Sequence, residues 1–170
     1  SLMFVVVEFP SFISPSILSL VREERALTDS ISRSMAELRN TRFNSVSRVW
    51  SIMKGVYIVF LRLGDERSIE VGALGEIGFD AGVYAYVGSA MTSLESRLGR
   101  HFSHTENPHW HIDYLSSEAE AIGFMALVTE DSSWECRLAE TILENAEPVE
   151  DFGCSDCKCE SHLVRVQSSG

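Results

Sequence analysis

The chain lacks any long hydrophobic run. Its most apolar stretch, residues 3–20, is broken by Glu8, Pro10 and Pro15, whereas a membrane-crossing helix needs about 20 nearly uncharged residues. With no basic lead-in or small-residue cleavage site either, the expectation is a protein without a membrane partner or a secretory leader. Cysteine is scarce: the four present, Cys136, Cys154, Cys157 and Cys159, all lie late in the chain. That spacing suits metal binding or reduced thiols better than a disulfide framework and predicts a cytoplasmic protein. Positive charge is also short, with 14 Lys or Arg against 25 Asp or Glu and a net charge of −11. Such a balance opposes phosphate binding in general. The deficit is uneven: residues 1–54 hold seven Lys or Arg and five Asp or Glu, and the remainder holds seven against twenty. There is no internal repeat or low-complexity tract.

What is present suffices for one core, since 45% of the 170 residues are hydrophobic. A soft boundary near residues 49–53 divides a 1–52 extension from a 53–170 domain. In the extension, residues 3–8 suit a strand, Ser14-Pro15 starts a helix to about residue 25, and Ile31, Met35 and Leu38 mark a second helix. The apolar faces of the extension need a partner surface, either the main domain or a second copy in a homodimer.

From residue 54 strands dominate. Residues 55–63 are apolar on both alternating faces and predict a central strand. Gly64-Asp65 predicts a hairpin turn, with residues 67–71 as the returning strand, and residues 82–88 form a third. Thr92 and Glu95 read as a capping box for a helix to about residue 103, on which Arg97 and His101 share a face. Residues 109–115 and 121–128 read as further strands. Ser132 and Glu135 cap another helix to about residue 145, with Leu138, Ala139 and Ile142 continuing the stripe that Glu135 heads. Residues 162–166 close the chain as a strand. The fold class is α+β, a small and mostly antiparallel sheet flanked by helices.

Several of these residues suit phosphodiester chemistry, which needs an activated water and a charge clamp on the transition state. Glu135 is a candidate ligand for Mg²⁺ or Mn²⁺, and Arg97 a candidate bidentate phosphate clamp. Tyr57 is a candidate general base, provided that nearby positive charge lowers a phenol pKa ordinarily about 10. Tyr86 and His101 would orient water or pass protons, and Gly88, Ser89, Arg100 and His111 would line the substrate side. Each also has a plainer reading: strand aromatics, a solvated helix face, a buried imidazole, a capping carboxylate.

The tail Cys154-X-X-Cys157-X-Cys159-X-X-His162 offers the donor number and softness that Zn²⁺ prefers. His109 and His111, on one side of a predicted strand, would complete such a site with Cys157 or His162. The alternative is that the cysteines are small buried hydrophobes.

Taken in order, Gly55-Val56-Tyr57, Tyr86-Val87-Gly88, Arg97-Leu98-Gly99-Arg100-His101 and Glu135 resemble the signature elements of the GIY-YIG nuclease superfamily. The resemblance covers residues 54–166. It is closer to an uncharacterised archaeal and bacterial GIY-YIG-like family, sometimes fused to endonuclease III-type glycosylases. That family is similar in Tyr86-Val87-Gly88-Ser89-Ala90, in His109-Trp110-His111-Ile112-Asp113-Tyr114-Leu115, in Glu135-Cys136 and in Ser155-Asp156-Cys157-Lys158-Cys159. The resemblance implies a three-stranded sheet flanked by helices and a metal-dependent endonuclease, with DNA as partner and DNA repair as setting. Asn145 is the candidate for the superfamily's late asparagine. The rival expectation is a non-catalytic module that binds nucleic acid or protein, and a third is a zinc-stabilised structural domain.

Overall fold

A strand that is apolar on both faces must be covered on both, and the centre of the fold is built on one. The computed structural model describes residues 3–6, 52–103, 105–144 and 146–166. Strand β1 is Met3–Val6, β2 is Gly55–Leu63, β3 is Arg67–Glu70, β4 is Glu76–Phe79 and β5 is Gly82–Ala90. Helices α1, Leu94–His101, and α2, His111–Glu118, precede β6, Glu120–Val128. Helix α3, Trp134–Leu143, and the short strands β7, Glu147–Pro148, and β8, Leu163–Val166, complete the chain. A six-stranded sheet runs in the order β1-β6-β2-β5-β8-β7, every pairing antiparallel. The architecture is α+β, as the sequence predicts, and β2 lies at its middle.

The two faces of β2 are buried by different helices. Tyr57, Val59, Leu61 and Leu63 pack with Leu94 and Leu98 of α1 and Ile112 and Leu115 of α2. Val56, Ile58 and Phe60 pack with Leu138, Ala139 and Ile142 of α3. Residues at 3–4 spacing on each helix thus meet alternate residues of one strand. The tail is tied down by Phe152, fully buried with its ring edge-on to Phe79 and Tyr86, a burial worth about 1.5–3 kcal/mol.

Four local expectations are corrected. Residues 67–70 do not return along β2, because β5 and β6 occupy both of its edges; β3 pairs instead with β4 in a separate two-stranded sheet. Residues 111–118 form a helix rather than a strand. Ile112, Leu115 and Ser116 supply its buried face, and Asp113 accepts hydrogen bonds from the backbone amides of His109 and Trp110 at its start, at 2.8 and 3.0 Å. Helix α1 is capped by Ser93, whose Oγ accepts from the Ser96 amide at 3.1 Å, in place of the Thr92–Glu95 box. Helix α3 begins with Asp131 accepting from the Ser133 amide at 3.0 Å, and Ser132 forms no capping box with Glu135. The helices expected at residues 14–39, the dimer surface of the extension and Asn145 lie outside the described residues. Among the described residues no helix is long and apolar enough to cross a membrane.

Candidate functional site

Tyr57 of β2 and Gly88 of β5 are register partners, so Tyr57, Tyr86 and Gly88 face the same layer. A Cβ on Gly88 would stand 2.6 Å from the Tyr57 hydroxyl oxygen and 3.0 Å from Tyr86 Cε1. Glycine here lets two phenols lie side by side. From α1, His101 reaches into the same space: its Nε2 is 2.8 Å from the Tyr57 hydroxyl, and its ring centroid is 6.2 Å from that of Tyr86.

Burial sets the protonation of this group. It lifts Tyr57 well above the usual phenol value, with Tyr86, Glu135 and Asp113 adding to it and Arg97 opposing. Burial and then Glu135 raise Tyr86 as well, against Arg97. His101 is pushed down to about 4 by burial foremost, with Arg97 and Arg100 assisting and Asp113 opposing. Near neutrality the pair is therefore a phenol and a neutral imidazole. Donation from the Tyr57 O–H to Nε2 leaves only the Nδ1 side of the ring, which is buried without a partner among the described residues. The reverse bond would orphan the phenol proton too.

Arg97, also on α1, lays its guanidinium 3.9 Å from the centroid of the Trp110 ring and has no ion pair among the described residues. Arg100 is committed elsewhere. It forks onto the buried Asp113 carboxylate at 3.0 and 2.8 Å and donates to the Asn107 carbonyl at 3.0 Å. Its guanidinium lies 4.9 Å from the same indole. Asp113 was not singled out by the sequence, yet it orders Arg100 and the turn that presents Trp110. Its carboxyl is held below the usual carboxylate range: burial would raise it, and the hydrogen bonds from Arg100, Trp110 and His109 outweigh that.

Glu135 comes from the other layer. Near the start of α3 it stands with Oε1 3.4 Å from His162 Nδ1 and also contacts Ser89, the neighbour of Gly88 on the alternate face of β5. Burial would raise its carboxyl, and His162, Ser89 and Arg97 together hold it below the ordinary value. Glu135 and Arg97 both act on the two phenols. The structure thus brings Tyr57, Tyr86, Arg97, His101 and Glu135 into one neighbourhood, with Gly88 and Ser89 between them. His111 is near its edge: Nδ1 accepts from the Gly153 amide at 3.2 Å, and the ring lies edge-on to Phe152. Two open grooves, one lined by Arg62, Phe102 and residues 120–124 and one by residues 65–70 with Glu118, lie away from this chemistry. Tyr57 and His101 are buried, whereas Arg97 and Glu135 are partly exposed.

The tail folds against α3 and supplies a second cluster. Cys136, Cys157, Cys159 and His162 offer one ligand atom each, all within 4.8 Å of one another. His162 Nε2 is 3.3 Å from Cys157 Sγ. This group could hold a metal ion. It corrects the expected ligand set: Cys136 takes the place of Cys154, whose Sγ donates to the Phe152 carbonyl at 3.4 Å and whose thiol is pushed up to about 12, by burial and then by Cys157. Neither His109 nor His111 belongs to the group; His111 opens α2 and His109 precedes it in a loop, so the two do not lie on a strand. Gly153 permits the close approach of the tail. Its φ of +77° is left-handed, and a Cβ there would stand 3.1 Å from both His162 Cβ and Tyr86 Cε2. The signal for Cys136 was its position beside Glu135 on one helix, but only tertiary packing brings it to the tail.

A family model described as a domain of unknown function, DUF123, matches residues 56–170. The comparison with curated proteins finds no match, and the comparison with solved structures finds none.

Proposed function

The chain belongs to the DUF123 family, and we propose that it is a divalent-metal-dependent phosphodiester hydrolase acting on nucleic acid, with DNA as the leading substrate. One observation carries the reading: a phenol bonded to a neutral imidazole, a guanidinium with no ion pair among the described residues and a carboxylate held below its ordinary pKa come together from β2, α1 and α3. The ordered resemblance to GIY-YIG nucleases supports it.

In this reading Arg97, backed by the Trp110 ring, takes two phosphate oxygens. Glu135 would hold Mg²⁺ or Mn²⁺. Its donor chemistry fits a hard cation that accepts one or two carboxylates and keeps several waters, and His162 faces only one of its two oxygens. When bound there, such a cation would supply positive charge near the phosphoryl oxygen and the attacking water. Tyr57 takes the proton of that water while passing its own to His101 Nε2; the water oxygen bonds to phosphorus as the P–O bond to the leaving oxygen breaks, and that oxygen takes a proton from solvent. The raised phenol and the lowered imidazole make this transfer uphill in the protein alone, so it waits for charge beyond that of Arg97. Tyr86 walls the phenol, Ser89 steadies Glu135, and Arg100 and His111 hold the surrounding turns.

For the sulfur-rich cluster we propose Zn²⁺, because three thiolates and an imidazole match its preference and Mg²⁺ or Mn²⁺ favour oxygen. Thiols of this kind persist in a reducing compartment, which points to the cytoplasm.

The test is cleavage of single-stranded, duplex and branched DNA and of RNA with Mg²⁺ or Mn²⁺. Glu135→Gln should abolish cleavage, and Arg97→Ala should lower it by about 100- to 1,000-fold. A second reading, an interaction module on the same fold, is favoured by the closely packed phenol and imidazole. Salt-sensitive binding of nucleic acid without cleavage under every condition would select it.

A further inference from the structure

Cys136 and Glu135 are neighbours at the start of α3, and both turn toward His162. The imidazole has two distinct nitrogens. Nε2 faces the thiol of Cys157 at 3.3 Å, close to the roughly 3.5 Å separation of sulfur and nitrogen on one tetrahedral zinc. Nδ1 is buried without an aligned hydrogen bond, and Glu135 Oε1 stands 3.4 Å from it. A metal-bound histidine commonly gives its other ring N–H to a carboxylate, which fixes the ring and its tautomer.

The position of His162 is set by the main chain. Its carbonyl accepts from the Val87 amide at 2.9 Å and its amide donates to the Phe152 carbonyl at 2.8 Å. The three thiols belong to two distant stretches of chain, are unpaired as disulfides, and are partly exposed rather than sealed in the core. Buried apolar packing therefore does not account for their convergence.

We propose that the zinc site and the Glu135 site are one assembly. Zinc held by Cys136, Cys157, Cys159 and His162 Nε2 places the Nδ1–H of His162 on Glu135 Oε1, and so turns the carboxylate's other oxygen toward Arg97 and the phosphate. This rests on the zinc assignment and on the hydrolase reading above. Glu135 is then the divalent-cation ligand of one site and the positioning residue of the other.

The test is zinc affinity by chelator competition on the intact protein, together with bound zinc per chain. Wild type should carry one zinc, and Cys159→Ser should lose it. Glu135→Ala, which removes no zinc ligand, should bind zinc about 10- to 100-fold more weakly, and Cys154→Ser should match wild type. The absorption of Co²⁺-loaded protein serves as a second readout on folded material. Wild type should show thiolate-bound tetrahedral Co²⁺, and the Glu135→Ala spectrum should shift. Unchanged affinity and spectrum in Glu135→Ala would overturn the coupling while leaving zinc in place. Metal-free wild type that takes up neither zinc nor cobalt would overturn the zinc assignment itself. Wild type that binds zinc as expected yet cleaves no nucleic acid would contradict the hydrolase reading alone.

Discussion

The Tyr57 hydroxyl and the His101 Nε2 form a 2.8 Å hydrogen bond inside the protein, with His101 only 2% exposed. An imidazole so placed stays neutral where a free one would begin to charge. Its pKa is about 4 in the folded protein, against an ordinary value of 6.5. As pH falls the unfolded chain takes the proton first. The stability contributed by this group is thus complete above about pH 6.5 and lost as pH falls toward 4, an effect of about 3 kcal/mol at most. Urea midpoints measured between pH 7 and 4 should fall more steeply for wild type than for His101→Gln. Parallel slopes would mean that His101 is not held neutral.

Two glycines should respond oppositely to alanine. At Gly88 the new methyl group would meet both tyrosine rings, and overpacking of this kind costs about 1–3 kcal/mol. At Gly99, exposed within α1 with nothing within 4 Å of an added Cβ, alanine should stabilise by about 0.5–1 kcal/mol through helix propensity. Chemical denaturation of Gly88→Ala and Gly99→Ala decides both signs.

Asp113 accepts from Arg100 and from the amides of His109 and Trp110. Asp113→Asn keeps the shape and removes the charge, so it should destabilise by about 2 kcal/mol, less than a wholly buried pair because Arg100 is partly exposed. The Trp110 fluorescence should change with it, since this turn presents the indole. A variant with unaltered stability and emission would show that Asp113 does not organise the turn.

The parts of the fold that could be read from the chain were those with their own periodicity: β2 and β5 with apolar side chains on both faces, and α3 with its Leu138–Ala139–Ile142 stripe. The hairpin expected after Gly64 failed because a local turn signal does not report who holds the neighbouring edge. Residues 109–115 looked like a strand because His109, His111 and Asp113 alternate with apolar and aromatic side chains. Burial of Ile112 and Leu115, three apart, and the return of Asp113 to the preceding amides made a helix instead. Tyr57, Tyr86, Arg97, His101 and Glu135 were legible as residues, and the structure adds that they converge. The partnership of Cys136 with Cys157, Cys159 and His162 was not legible, because it exists only once α3 and the tail pack together.

The indole of Trp110 should matter through Arg97. Trp110→Phe keeps an aromatic face beneath the guanidinium and Trp110→Ala removes it, a cation–π contact worth about 0.5–1 kcal/mol at this exposure. Affinity for a short oligonucleotide at fixed salt should fall several-fold in Trp110→Ala and change little in Trp110→Phe. Equal behaviour of the two would show that Arg97 needs no such support.

The central claim is that Tyr57, Arg97 and Glu135 surround a place for a scissile phosphate. A crystal structure with Mn²⁺ and a non-hydrolysable phosphodiester tests it most directly. The account predicts anomalous density for Mn²⁺ on the Glu135 carboxylate, with one phosphate bridging that ion and the Arg97 guanidinium and the Tyr57 hydroxyl facing the phosphorus. Phosphate bound away from Arg97, with Glu135 holding no Mn²⁺, would contradict it.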